Sequence, residues 1–200
     1  MTHSKPASAM APARDRPVMT LVLGVHRSGT SMLAAGLEAA GLDPGTRLND
    51  YNPDNPKGHF EHWQVRHFND DFLRHLESSW DDVTLDARQF PFDSPDFAAW
   101  RARAAALLSG IMPRSGHVVL KDPRITQLLP FWTAVLDDLG WGQRHVLIMR
   151  SPDEVAESQM QRVARRPDAF PGLSTGEAML QLWTMTMRSA LAALPETGVL

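Results

Sequence analysis

The stretch "LVLGVHRSGTSML", Leu21 to Leu33, joins an apolar run to a glycine-punctuated loop and then to a helical pattern. Against the nucleoside-triphosphate loop signature G-x-x-x-x-G-K-S/T, Gly24, Gly29 and Ser31 fall in register. The lysine position holds Thr30, and the nearest cation is Arg27, inside the loop. An ATP–Mg²⁺ site needs that lysine to reach the β- and γ-phosphates, and no apolar strand here ends in an Asp to hold the metal. The stretch therefore reads as a damaged triphosphate loop, a chance glycine pair, or a loop for a different phosphate ester. In the last case Gly29 permits the tight turn, and the amides of Ser28 to Ser31 point at a phosphate on the helix N-terminus. The helix dipole supplies only about 0.3–1 kcal/mol per charge. Arg27 and the hydroxyls of Thr30 and Ser31 must add the rest.

Outward from this stretch, three apolar runs read as buried strands: 18–24, 117–120 and 144–149. Helical patterns separate them. "SMLAAGLEAAG" closes on Gly41, "HFEHWQVRHFNDDFLRHL" carries a stripe of Phe60, Trp63, His67 and Phe68, and "SPDFAAWRARAAALLSG" runs from Ser-Pro to Gly110. "QLLPFWTAVLDDLG" has a kink or late start at Pro130. "SPDEVAESQMQRV" and "STGEAMLQLWTMTMRSALAAL" follow the third strand. Strands alternating with helices predict βαβ units in a three-layer α/β/α domain with a central parallel sheet. The Pro- and Gly-rich segment "DPGTRLNDYNPDNPKGHF" reads as a long loop of the kind that carries function.

Composition narrows the function. The 200 residues carry a net charge of −3, which argues against nucleic acid as a partner, so an anionic ligand has to be gripped locally. The absence of cysteine removes disulfides, thiolate metal sites and a cysteine nucleophile, and fits a cytoplasmic protein. No apolar run approaches the roughly 18–20 residues of a membrane span. Residues 1–17, rich in Ala and Pro, read as a disordered tail without the apolar core of a signal peptide, and 18–200 as one domain. "LPETG", 194–198, looks like a sortase signal, but an apolar segment and basic tail do not follow it. His59, His62, His67 and His75 match no zinc-helix spacing, and no metal is expected.

In open parallel sheets, ligands sit beyond the carboxyl ends of the strands. Here each apolar run is followed by a cation: Arg27 in "VHRSGTS", Lys121 in "KDPR" and Arg150 in "RSPDE". Only three of the 20 basic residues are lysines, so Lys121 points to a need for a compact donor. At the third exit, Ser151, Pro152 and Glu154 form a capping-box pattern. Ser158 lies two turns along the same helix, so Arg150 and Ser158 are able to hold one phosphate between them.

On these residues the chain resembles the sulfotransferases that use 3′-phosphoadenosine 5′-phosphosulfate (PAPS). That family cradles the 5′-phosphosulfate in a loop reading K/R-S-G-T-S/T, here Arg27, Ser28, Gly29, Thr30 and Ser31. It holds the 3′-phosphate with R-x(7)-S, here Arg150 and Ser158. The "HRSGTS" form is similar to bacterial and Golgi-type members. The resemblance implies a P-loop NTPase-like fold and sulfuryl transfer from PAPS, without a metal, to a hydroxyl or amine. The acceptor would be a small molecule, carbohydrate or peptide. It further implies Glu61, in "NPKGHFEHW", as general base with His59 as its rival, and Lys121 as the group that stabilises the transferring sulfuryl. Asp122 and Arg124 would orient the Lys121 turn through an ion pair. Family members commonly continue into a basic, Gly-containing lid over the adenosine, so the chain reads either as truncated before that lid or as a minimal form with a more open nucleotide site. Two other readings stay open: a nucleotide or small-molecule kinase on the same architecture, and an inactive module that keeps nucleotide affinity.

Overall fold

The computed structural model describes residues 16–46, 48, 60–165 and 170–194. His59, the tail up to Asp15 and the "LPETG" stretch from Pro195 lie outside these residues. The elements in order are β1 (Val18–Leu23), α1 (Thr30–Ala39), α2 (Trp63–His75), α3 (Ala98–Ile111) and β2 (His117–Lys121). There follow α4 (Pro123–Gln127), α5 (Leu129–Leu139), β3 (Gly142–Leu147), α6 (Pro152–Arg165) and α7 (Gly176–Ala193). The three strands form a parallel sheet in the order β2-β1-β3, with Val18 paired to His117 on one side and to Gly142 on the other.

Strand alternation gives the sheet two apolar faces. Met19, Leu21, Leu23, Val118 and Leu120 enter the main core with Phe68 and Phe72 of α2, Leu108 of α3, and Phe131, Trp132 and Val135 of α5. The opposite parity, Val22 and Val119, packs on Ala34 of α1. Helices thus cover both faces, and the protein is an α/β domain around a parallel sheet. Trp132, Phe131 and Phe72 are fully buried, each worth about 1.5–3 kcal/mol in transfer from water.

Several elements depart from the sequence pattern for identifiable reasons. The third strand was expected at 144–149 but occupies Gly142–Leu147, because β1 dictates the register from Val18. The Ile148 amide makes a last bond to the Leu23 carbonyl at 3.0 Å, and Met149, 61% exposed, has left the sheet. β3 is only half-buried rather than covered on both sides, whereas β2, at the other edge, is buried along most of its length. The segment around Pro130 is two helices, α4 and α5, hinged at Leu128, with Pro130 in the first turn of α5. α3 runs through Gly110 to Ile111. On α2 the buried face is Val65, Phe68, Asn69, Phe72 and Leu73, whereas Trp63 is 46% exposed. There the His67 ring bonds back to the Trp63 carbonyl (Nδ1 to O, 2.6 Å), outside the core. α1 ends as expected, with the Gly41 and Leu42 amides closing on the carbonyls of Glu38 and Leu37.

Candidate functional site at the strand exits

β1 ends in a pinned turn. The Thr126 hydroxyl of α4 accepts from the Gly24 amide (2.9 Å) and donates to the Gly24 carbonyl (3.1 Å). Gly24 has a φ of +150°, and a Cβ there would come within 2.8 Å of Ile148 Cγ2 and Ser28 Oγ. Only glycine fits this position. Arg27 has a φ of 71° and Gly29 one of 96°. The left-handed conformation costs a non-glycine residue such as Arg27 about 1–2 kcal/mol. The Ser28 amide and hydroxyl both turn back onto the Val25 carbonyl, at 3.2 and 2.6 Å. The Ser28 amide is therefore used in closing the turn. α1 starts directly behind it with no side-chain cap, so its first-turn amides lack an intrahelical acceptor.

The second exit is buried. Lys121 Nζ donates to Glu61 Oε1 at 2.6 Å and to Ser31 Oγ at 3.2 Å. The two charged side chains are only 3% and 8% exposed. Asp122, fully buried, caps α4 by accepting from the Arg124 amide (3.0 Å), and also accepts from Arg124 Nη1 (3.1 Å) and Asn69 Nδ2 (3.2 Å). Arg124 Nε bonds Asp70 at 2.6 Å, and the Trp132 indole donates to Asn69 Oδ1 at 3.0 Å. Burial works against the Arg124 charge, but the carboxylates of Asp122, Asp70 and Glu61 outweigh it and raise the guanidinium pKa. The network ties α2 and α5 to the end of β2 and fixes the backbone that carries Lys121.

The third exit is exposed. Arg150 Nη1 donates to the Arg27 carbonyl (3.2 Å) and Nε to Glu154 (2.9 Å). Glu154, the third residue of α6, is thus engaged by Arg150. The Ser151 carbonyl still accepts the Val155 amide at 3.0 Å, starting α6. Ser158, two turns along, accepts from Arg27 Nε at 2.9 Å. Arg27, Arg150 and Ser158, separated by up to 131 positions, thus form one connected group. On its flank the His26 ring lies 4.4 Å from Trp80, and the Arg162 guanidinium sits over Trp80 and Phe170.

The cations at all three exits are thus brought to one edge of the sheet, with Ser31 joining the first exit to the second and Arg27 joining it to the third. Of the histidines, His62 is buried and its Nε2 donates to the Pro44 carbonyl at 2.6 Å. Burial lowers its pKa against the opposing effect of backbone bonds to Pro44 and Thr46. Among the described residues, no group of three or more His, Asp or Glu side chains is placed to hold a metal ion. Nor is any described helix long and apolar enough to cross a membrane. Asn69, Asp70, Thr126 and Trp132 were not anticipated as site supports. Nothing in their spacing marks them, because each acts across the fold.

No protein-family profile matches the chain, and no curated protein is significantly similar to it.

Proposed function

We propose that this protein is a PAPS-dependent sulfotransferase with a P-loop-like fold, moving a sulfuryl group to a hydroxyl or amine of a small-molecule, carbohydrate or peptide acceptor. The observation that carries this reading is the meeting of Arg27, Arg150 and Ser158 beside the Lys121–Glu61 pair. PAPS is an anion with two ends, its 3′-phosphate and its phosphosulfate bridge. Two separate grips on adjoining exits suit it better than they suit a single phosphate chain.

In this reading Arg27, the first-turn amides of α1 and the hydroxyls of Thr30 and Ser31 hold the phosphosulfate. Arg150 and Ser158 hold the 3′-phosphate. The acceptor oxygen attacks sulfur in line with the bridging oxygen and gives its proton to Glu61. The bond from sulfur to the bridging oxygen breaks with its electron pair, and Lys121 neutralises the charge left on the bisphosphate. The residues supply this positive charge without a metal.

A kinase reading has less support, since Thr30 stands in the lysine slot of the loop. The test is release of adenosine 3′,5′-bisphosphate from PAPS across a panel of phenolic, sugar, amine and peptide acceptors. Turnover with one acceptor class is expected, falling about 100-fold or more in Glu61→Gln at saturating donor. Bisphosphate binding without turnover on any acceptor would favour the inactive module instead.

A further inference from the structure

We infer that the Lys121–Glu61 ion pair is a gate: an incoming donor draws the Lys121 ammonium off Glu61, and only then is the carboxylate released to take a proton from the acceptor. The inference rests on the sulfotransferase reading and adds to it an order of events, donor before acceptor.

Three features of the site carry it. The first is occupancy. With Nζ 2.6 Å from Oε1 and both side chains buried, the Glu61 carboxylate is held by the ammonium at short range. An acceptor hydroxyl reaching the site first meets a carboxylate already engaged.

The second is direction. The same ammonium lies 3.2 Å from Ser31 Oγ, in the first turn of α1 behind the phosphate loop. Lys121 stands between the loop and the carboxylate on a flexible stem with three N–H donors. A doubly charged phosphate or phosphosulfate on the loop attracts it more strongly than a single carboxylate does. In a dry site that difference is large.

The third is the fixed background. Arg124 is near enough for Glu61 to contribute to its charge stabilisation, but its guanidinium is bonded to Asp70 and Asp122. Arg124 cannot follow the ligand, and it keeps a cation in the neighbourhood when Lys121 leaves. The gate therefore opens without leaving Glu61 in a region free of positive charge, which would be costly. The step itself is unchanged: the acceptor O–H proton goes to Glu61, sulfur bonds the acceptor oxygen, and the bridging oxygen departs with its electron pair toward Lys121.

Calorimetric binding of adenosine 3′,5′-bisphosphate to four proteins tests the gate: wild type, Glu61→Gln, Lys121→Ala and the double variant, with thermal denaturation of each to confirm folding. If the donor has to break the pair, Glu61→Gln binds the bisphosphate roughly three- to tenfold tighter than wild type. Lys121→Ala binds it roughly tenfold or more weakly, and adding Glu61→Gln to that background changes affinity less than about twofold. Equal or weaker binding by Glu61→Gln would overturn the gate. So would tightening that persists without Lys121, which is direct repulsion between Glu61 and the ligand. Should Glu61→Gln fail to fold, Glu61→Asp retreats from the ammonium by one methylene and is expected to tighten binding in the same direction. Failure of all the proteins to bind the bisphosphate would instead remove the sulfotransferase reading, and the gate with it.

Discussion

The exits of β2 and β3 use the same kinds of side chain and treat them in opposite ways. At β2, Lys121 and Arg124 are buried and bonded to Glu61, Asp122 and Asp70. At β3, Arg150 pairs with Glu154 on the surface, with the two side chains 42% and 58% exposed. A buried pair whose partner is removed leaves a costly uncompensated charge, whereas an exposed pair exchanges its partner for water or ligand at little cost. The β2 exit therefore holds its charged groups in one place, whereas the β3 exit leaves its guanidinium open to exchange of partners.

The largest expected effect probes the buried side. Asp122→Ala removes an acceptor of three hydrogen bonds and leaves Arg124 with one carboxylate partner. A loss of about 3–5 kcal/mol in chemical denaturation is expected. A loss under about 1 kcal/mol would mean the network is not a structural anchor.

Next comes the exposed side. Arg150→Ala is expected to weaken adenosine 3′,5′-bisphosphate roughly 10–100-fold while changing adenosine 5′-phosphate less than about threefold. Equal losses on the two ligands would detach Arg150 from the 3′-phosphate. Between the two exits lies the Thr126 pin. Thr126→Val keeps the shape but leaves the Gly24 amide and carbonyl without their partner, costing about 1–3 kcal/mol of stability. An unchanged midpoint would show that Gly24 finds other partners.

A pH effect is also expected. The folded pKa of His62 is depressed by burial, so below the ordinary value of 6.5 the unfolded chain binds more protons than the folded one. Stability from this group is fully present above 6.5 and is lost as pH falls through the folded value. His62→Gln is expected to flatten the drop in Tm between pH 7.5 and 5.5; an unchanged drop would assign it elsewhere. Smallest is Glu154→Gln, which should alter stability by less than about 0.5 kcal/mol, as a screened surface pair does.

The contrast also separates what could be read in the chain from what could not. Gly24 and Gly29 sit where positive φ and close approach demand glycine, so the β1–α1 turn was visible from residue types alone. The cations after each strand were equally visible, because a parallel sheet delivers all its strand ends to one edge. The pairing of Lys121 with Glu61 was not, since 60 residues and the packing of α2 stand between them. Asn69 and Asp70 carry no mark of their partnership with Asp122 and Arg124, because α2 periodicity assigns a face but not a neighbour. The third strand was displaced by two residues because "RHVLIM" looks equally apolar throughout, whereas the register comes from β1. The Arg27–Ser158 bond is likewise hidden, because the two residues stand 131 positions apart in separate motifs.

The most direct measurement is a calorimetric comparison of adenosine 3′,5′-bisphosphate with ATP–Mg²⁺ on the wild-type chain. A two-ended anion site is expected to bind the bisphosphate at least about tenfold tighter than ATP–Mg²⁺. Tight binding of ATP–Mg²⁺ with none of the bisphosphate would contradict the account.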